Sequence, residues 1–329
     1  MMNNLKKRYR ETVNAVGVSL LAFVMLYVIL TNLSPFVKML IPKDTDAVAA
    51  EVTLSVVSGA TYLLAFMLPA AFFFYLMRGS RRESMRLDVK ISSDTFPIIF
   101  AGVACIFALS YFNGMFMSFF EAPAEDIFYN EPGEYISDYN VILQFITIAI
   151  VPAFCEEFLF RGVILSNLMP YGKGVAIIGS SLLFALMHGN FYQFLYTAAA
   201  GIVLGTVYVL TDSIWCSVFV HLINNSISVL QSSLSGRIDE YTASVILTIT
   251  EGLIFIVGLL SIVFLVVKRG KNAEKSNALR GVFGVRLEET SAVGFSEEMP
   301  ASDAIRLFFS PSILMFIAYS VVNAIIRLV

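Results

Sequence analysis

Residues 141–168, VILQFITIAIVPAFCEEFLFRGVILSNL, decide how the chain must fold. The stretch is long enough to cross a bilayer, for which about 20 largely apolar residues suffice. Its middle nevertheless holds Glu156, Glu157 and Arg161. A charged side chain at the bilayer centre costs at least about 2.5–3.5 kcal/mol. We therefore expect these three side chains to face a polar cavity or one another rather than lipid.

The composition places the whole chain in a membrane. Of 329 residues, 57% are hydrophobic and 14% are charged, whereas a soluble domain carries roughly 25% charged residues. The net charge is −3, and without a basic domain nucleic acid is not expected as a partner. The composition thus predicts an all-α integral membrane protein, a polytopic transmembrane helical bundle whose partners include membrane lipids.

Hydropathy predicts about eight or nine spans. The fifth is short, and it either continues into the sixth or forms a hairpin with it. The predicted spans are Val13–Leu33, Val52–Met77, Thr95–Met117, Val141–Leu168, Gly174–Met187, Gln193–Leu210, Ser213–Leu230, Ala243–Val267 and Ser310–Val329.

Charge placement predicts a cytoplasmic N-terminus. Basic residues cluster at 6–10, 78–90 and 268–275, whereas residues 121–138 are acidic and contain no Lys or Arg. These blocks alternate as the positive-inside rule requires. The first apolar run exceeds the h-region of a signal peptide, so it predicts an uncleaved helix. Because no organelle signal is present, we expect a bacterial plasma membrane.

The chain divides into three regions. Residues 1–140 hold N-terminal transmembrane helices and the acidic extracytoplasmic loop. Residues 141–230 hold the polar residues that carry chemistry. Residues 231–329 hold the C-terminal helices with a cytoplasmic linker at 270–305. The sequence leaves the oligomeric state open.

The cysteines are predicted to be small buried side chains. They are Cys105, Cys155 and Cys216. An odd number of cysteines without a CxxC pattern favours neither disulfides nor a zinc knuckle.

Helical geometry sorts the charged residues of the fourth span. Glu157 and Arg161 are four residues apart, so they lie on one face and can form an ion pair. Glu156 is turned about 100° from Glu157, which leaves it free for chemistry. Taken alone, the Glu157–Arg161 pair could also be a structural link between helices.

Both histidines of the chain lie in neighbouring helices. His221 and Asn225 share one helical face, and Phe184 and His188 share another by the same spacing. Each residue alone has a structural interpretation, because histidines and asparagines form interhelical hydrogen bonds in membranes and phenylalanines pack. Together with the carboxylates, they favour a functional site.

These side chains suit amide hydrolysis. Glu156 is a candidate general base that activates water. His221 and Asn225 are candidate donors to the oxyanion that develops during the reaction. His188 is expected to orient the water or share its proton. Zinc stays open as an alternative, with Glu156, His188 and His221 as ligands, although no HExxH occurs. No cofactor is otherwise expected.

A GxxxG pattern, Gly201 and Gly205, concerns assembly rather than chemistry. It permits close approach between membrane helices.

Three motifs carry a resemblance to a known family. Glu156–Arg161 has the pattern EExxxR, Phe184–His188 has FxxxH, and His221–Asn225 has HxxxN. In this order and spacing they resemble the CPBP family, the CAAX-protease and bacteriocin-processing group also called Abi, which includes the Ras-converting type of CAAX prenyl endopeptidase. The resemblance covers about residues 141–230 and implies a helical fold with the active site inside the bilayer.

The resemblance also implies a role for each motif residue. Glu156 would activate water with support from Glu157 and Arg161. His188 would assist the water, and His221 with Asn225 would form the oxyanion hole. The family has been labelled metalloprotease, but a glutamate base requires no metal, and asparagine is a better oxyanion donor than zinc ligand.

The favoured function is an intramembrane endopeptidase acting on membrane-associated or prenylated peptides. One alternative is a non-catalytic bacteriocin-immunity or membrane scaffold protein of the same fold. Another is a proton-coupled transporter with a Glu/His relay, although no inverted repeat is evident.

Overall fold

The computed structural model describes residues 2–78, 85–119, 138–234, 237–271 and 299–326. These residues form helices and connecting turns with no strand among them, which confirms the all-α prediction. The helices are α1 (Met2–Asn32), α2 (Ser34–Leu40), α3 (Ala47–Leu76), α4 (Thr95–Ser118), the composite helix α5 described next, α6 (Lys173–His188), α7 (Phe191–Thr211), α8 (Ile214–Leu234), α9 (Glu240–Lys271), α10 (Ala301–Phe308) and α11 (Pro311–Ile326).

Helix α5 is continuous but changes its winding several times. Two π-helical segments, Phe145–Ile150 and Phe158–Leu165, flank the α-helical segment Val151–Glu157. Short α-helical segments, Asp138–Gln144 and Ser166–Leu168, and a final 3₁₀ turn, Met169–Tyr171, complete it.

The bundle has the size and hydropathy of a polytopic membrane protein, as predicted. In the described residues, seven helical stretches are long and apolar enough to cross a membrane. Helices α10 and α11 form an eighth if they are counted as one span bent by 64°. The fifth predicted span is the 16-residue α6, which is shorter than the roughly 20 residues of a full crossing.

The C-terminal region departs from the predicted boundaries. The linker was predicted to extend to residue 305, whereas α10 begins at Ala301 and the break precedes Pro311. A proline opens the new helix because its missing N–H has no partner in the first turn anyway. Residues 272–298 of the predicted linker and residues 121–137 of the predicted acidic loop lie outside the described residues.

Local signals end α6 and begin α7 within three residues. Gly189, with φ of 57°, closes α6 in the left-handed conformation that glycine adopts readily. Asn190 then caps α7, since its side-chain oxygen accepts hydrogen bonds from the backbone N–H groups of Tyr192 and Gln193. This tight reversal lets α6 and α7 pack side by side and places His188 at the last residue of α6.

Helix α5 lies at the centre of the packing. It contacts α3 on one side and α6, α7 and α8 on others, while α4 packs against α7, α8 and α9. Leu159, Phe160 and Leu165 of α5 are fully buried. Helix α9 is mostly exposed, as expected of a helix that faces lipid.

The three cysteines are unpaired, as predicted. Cys155 and Cys216 are buried, as expected, but Cys105 is exposed, so the prediction of burial was wrong there. Cys105 occupies a face of α4 that no described helix covers, and a small apolar thiol is tolerated on such a face.

Candidate active site

The carboxylate of Glu157 is the centre of a buried polar cluster. Its Oε1 accepts a hydrogen bond from Arg161 Nη1 at 2.6 Å and another from His221 Nδ1 at 2.9 Å. Glu157 is 0% exposed and Arg161 1% exposed. The predicted ion pair is therefore formed, and His221 adds a second contact to it, from α8.

Arg161 connects three helices. Its Nη2 donates to the carbonyl oxygen of Gly201 in α7 at 3.0 Å. Its guanidinium also lies over the ring of Phe184 in α6, 4.6 Å from the centroid, a cation–π contact that is strengthened by exclusion of water. The charge predicted to be too costly for lipid is thus held by a carboxylate, a carbonyl and an aromatic face.

Gly201 makes this arrangement possible. A Cβ there would lie 2.9 Å from Ser181 Cβ and 3.1 Å from Ser181 Cα, so only glycine allows α6 and α7 to approach this closely. The close approach predicted from the GxxxG pattern is confirmed at Gly201. At Gly205 the nearest neighbour, Ile177 Cγ2, would be at 3.4 Å, an ordinary packing distance.

Glu156 faces the inside of the bundle, away from lipid, and is 5% exposed. Its Oε1 accepts a hydrogen bond from the Tyr62 hydroxyl of α3. Its Oε2 lies 3.8 Å from His221 Nε2 and has no hydrogen-bond partner among the described residues. The two adjacent glutamates thus occupy different surroundings, as their angular separation predicted.

Sequence reasoning missed Tyr62. It lies 94 residues before Glu156, outside all three motifs. A tyrosine in an apolar helix is a weak signal, because its buried hydroxyl needs a partner that the sequence does not name.

His188 has a defined tautomer. Its Nδ1 lies 2.8 Å from the carbonyl oxygen of Phe184, and a carbonyl only accepts, so Nδ1 carries the proton. Nε2 of a neutral ring is then an acceptor. The Phe184 ring contacts both imidazoles, with centroid distances of 4.7 Å to His188 and 6.0 Å to His221. Phe184 therefore packs, as predicted, and it packs between the two histidines.

Asn225 is oriented by a chain of hydrogen bonds. Tyr196 donates to Asn224 Oδ1 at 2.8 Å, and Asn224 Nδ2 donates to Asn225 Oδ1 at 3.2 Å. Asn225 Nδ2 in turn donates to the carbonyl oxygen of Ile148 at 3.3 Å. Pro152, four residues on, has no N–H and so supplies no α-helical hydrogen bond to that carbonyl. One hydrogen of the Asn225 amide group remains available for a ligand.

In the described part of the chain, no group of three His, Cys, Asp or Glu side chains is arranged to hold a metal ion. The set predicted for zinc was Glu156, His188 and His221. Tyr62 donates to Glu156 Oε1 and His188 Nδ1 donates to the Phe184 carbonyl, and these contacts leave Glu156 Oε2 and His188 Nε2 as the atoms that face a ligand.

Comparison with known proteins points to one family. Residues 138–227 match the sequence model described as type II CAAX prenyl endopeptidase, Rce1-like. No curated protein and no solved structure matches the chain. The matched range contains all three motifs, so the resemblance to the CAAX-protease group is confirmed, and a CAAX-type protease activity is supported at the level of the family.

Proposed function

We propose, from the Rce1-like type II CAAX prenyl endopeptidase domain that this chain contains at residues 138–227, that the protein is an intramembrane endopeptidase for prenylated or other membrane-associated peptides. One observation carries the proposal. A nearly buried carboxylate, Glu156, has one oxygen without a hydrogen bond among the described residues, 3.8 Å from an imidazole nitrogen. We further propose that the protein resides in a bacterial plasma membrane with its N-terminus in the cytoplasm.

Glu156 acts as the general base in this proposal. Its Oε2 takes a proton from water, and the resulting hydroxide attacks the carbonyl carbon of the scissile amide. When the C–N bond breaks, the protonated Glu156 returns that proton to the leaving amine. His188 supports the same step, since Nε2 of its neutral ring can accept a hydrogen bond from the attacking water.

His221 and Asn225 stabilise the oxyanion. They lie four residues apart on α8, so both side chains point to the same side of that helix. Asn225 offers its remaining amide hydrogen. His221 Nδ1–H is held by Glu157, so donation from Nε2 requires the doubly protonated ring, whose positive charge lies beside the carboxylates of Glu157 and Glu156. Donors in a site of low dielectric constant stabilise an oxyanion more strongly than donors in water do.

Glu157 and Arg161 support the donors without touching substrate. Glu157 fixes the His221 ring through Nδ1, much as a buried carboxylate orients a catalytic imidazole. Arg161 compensates the charge of Glu157 and ties it to α7.

A membrane-bound substrate fits the location of the site. The carboxylates lie near the middle of a helix that is apolar on both sides. A prenyl chain holds a peptide at the membrane, since each buried CH₂ contributes about 0.8 kcal/mol. Such a peptide reaches an intramembrane site by diffusion within the bilayer.

The test is a cleavage assay on the purified full chain in proteoliposomes. The probes are a farnesylated CAAX peptide and the same peptide without the lipid, each with a fluorophore and a quencher on either side of the scissile bond. We expect the wild type to cleave the farnesylated peptide. The cleavage rate should fall by at least about 100-fold in Glu156→Ala. The matched control Glu11→Ala, which changes an exposed residue of α1, should keep full activity.

The same assay separates the alternatives. Cleavage that persists in a chelator supports the glutamate mechanism, and cleavage that is lost and then restored by zinc would favour a metal. Binding of a peptide without cleavage, unchanged in Glu156→Ala, would favour an immunity or scaffold protein. A proton flux that requires Glu156 in the absence of any cleavage would favour a transporter.

A further inference from the structure

We propose that Tyr62 of α3 is a positioning residue for the general base, a role that rests on the proposed function of Glu156. The Tyr62 hydroxyl donates to Glu156 Oε1, while Oε2 has no partner among the described residues. One oxygen of the carboxylate is thus held, and the other is left to act on water.

The Tyr62 ring is itself fixed by neighbouring aromatic side chains. It stacks on Phe66, one turn along α3, with centroids 4.7 Å apart and an interplanar angle of 25°. Phe66, 1% exposed, packs edge-on against Phe23 of α1 at 4.8 Å. Aromatic pairs of this kind contribute about 0.5–1.5 kcal/mol beyond their buried area. The hydroxyl is therefore presented to Glu156 from a rigid support.

Such support matters for a general base. A carboxylate at the end of a glutamate side chain has several rotatable bonds, and displacement of a reacting group by about 1 Å can reduce a rate by about 100-fold. Glu157 is fixed by Arg161 and His221. In the described residues, the Tyr62 hydroxyl is the hydrogen-bond donor that does the same for Glu156.

This contact brings a helix outside the family domain into the site. The matched range begins at residue 138, and Tyr62 belongs to α3, Ala47–Leu76. The active site of this chain is accordingly completed by its N-terminal region, which supplies the support for the base rather than only a lipid-facing wall.

The experiment compares Tyr62→Phe with Tyr75→Phe in the farnesylated-peptide assay. Both variants lose only a hydroxyl and lie on α3, but Tyr75 is 66% exposed. Tyr62→Phe keeps the stacked ring. We expect it to lower kcat by roughly ten- to a hundredfold, the effect of losing a hydrogen bond to a charged group, with KM within about twofold. Tyr75→Phe should match the wild type in both constants.

A double-mutant comparison distinguishes positioning of Glu156 from a purely structural role of Tyr62. In a Glu156→Gln background, Tyr62→Phe should have little further effect on residual cleavage, because the base it positions is gone. Equal kcat in Tyr62→Phe and the wild type would overturn the proposal. So would a Tyr62→Phe protein that fails to fold while Tyr75→Phe folds, since that result assigns the hydroxyl a structural role.

The outcome is distinguishable from a failure of the proposed function. If the wild type cleaves and Glu156→Gln does not, the function stands whatever Tyr62→Phe shows. If Glu156→Gln cleaves as fast as the wild type, the proposed base is wrong, and the Tyr62 proposal fails with it.

Discussion

Two adjacent glutamates should respond in opposite ways to the same substitution. Glu156→Gln and Glu157→Gln each replace a carboxylate by an amide of equal size within one turn of α5. We expect the first to lower activity by at least about 100-fold and leave stability nearly unchanged, and the second to destabilise the fold.

The loss of stability in Glu157→Gln follows from the contacts of Glu157. Its Oε1 is the partner of Arg161 Nη1 and of His221 Nδ1, and the pair with Arg161 is 0% and 1% exposed. Neutralising one partner leaves a buried guanidinium without its carboxylate, and breaking a buried ion pair in this way costs about 3–5 kcal/mol. The amide oxygen of Gln recovers only part of that cost.

Glu156→Gln should behave differently because the hydrogen-bond donor to Glu156 is the neutral hydroxyl of Tyr62. Tyr62 can donate to an amide oxygen as well as to a carboxylate, so the stability should change by about 1 kcal/mol or less. An amide has no basicity, however, and loss of a general base reduces the rate by about 10²–10⁴-fold.

Two measurements test these opposite effects of Glu156→Gln and Glu157→Gln. Thermal unfolding in detergent gives the apparent midpoint for each variant, and the farnesylated-peptide assay gives kcat well below that midpoint. The reasoning is refuted if Glu157→Gln melts with the wild type, since the ion pair then contributes nothing, or if Glu156→Gln is the less stable of the two.

Three further variants test other contacts. Gly201→Ala should cost about 1–3 kcal/mol of stability through overlap with Ser181, seen as a lower melting midpoint, whereas Gly252→Ala, with open space around it, should not. Asn225→Ala should lower kcat by about 10²–10³-fold with little change in midpoint if its amide stabilises the oxyanion; an unchanged kcat would remove it from that role. Asp212→Ala should lower the midpoint by the equivalent of about 1 kcal/mol, because alanine adopts a φ of 55° less readily than aspartate and because the ion pairs with Arg86 and Lys90 are lost. Asp212→Gly should recover the backbone part of that loss.

The sequence was sufficient to predict the elements that carry the site. A charge inside an apolar span is costly, and helical spacing then restricts which side chains can meet. That reasoning placed Glu157 beside Arg161 and turned Glu156 to a separate environment, and the structure has both features. The roles of these residues in catalysis stay predictions.

Other features depend on tertiary packing and could not be predicted. The contact from Tyr62 joins residues 94 apart, and no local pattern specifies it. The π-helical segments of α5 carry no composition signal of their own. The predicted linker extended too far, to residue 305, because the short helix α10 carries Asp303 and Arg306 and hydropathy alone does not distinguish it from a polar loop.

The roles proposed for the two glutamates differ because their neighbours differ, since the two side chains have the same chemistry. Glu157 points to Arg161 and His221, so its charge is compensated and its Oε1 is occupied. Glu156 accepts a hydrogen bond from the neutral hydroxyl of Tyr62 on Oε1, and its Oε2 has no hydrogen-bond partner among the described residues. Tyr62 thus orients the carboxylate through one oxygen and leaves the other oxygen to act on water, as the proposed role of a general base requires.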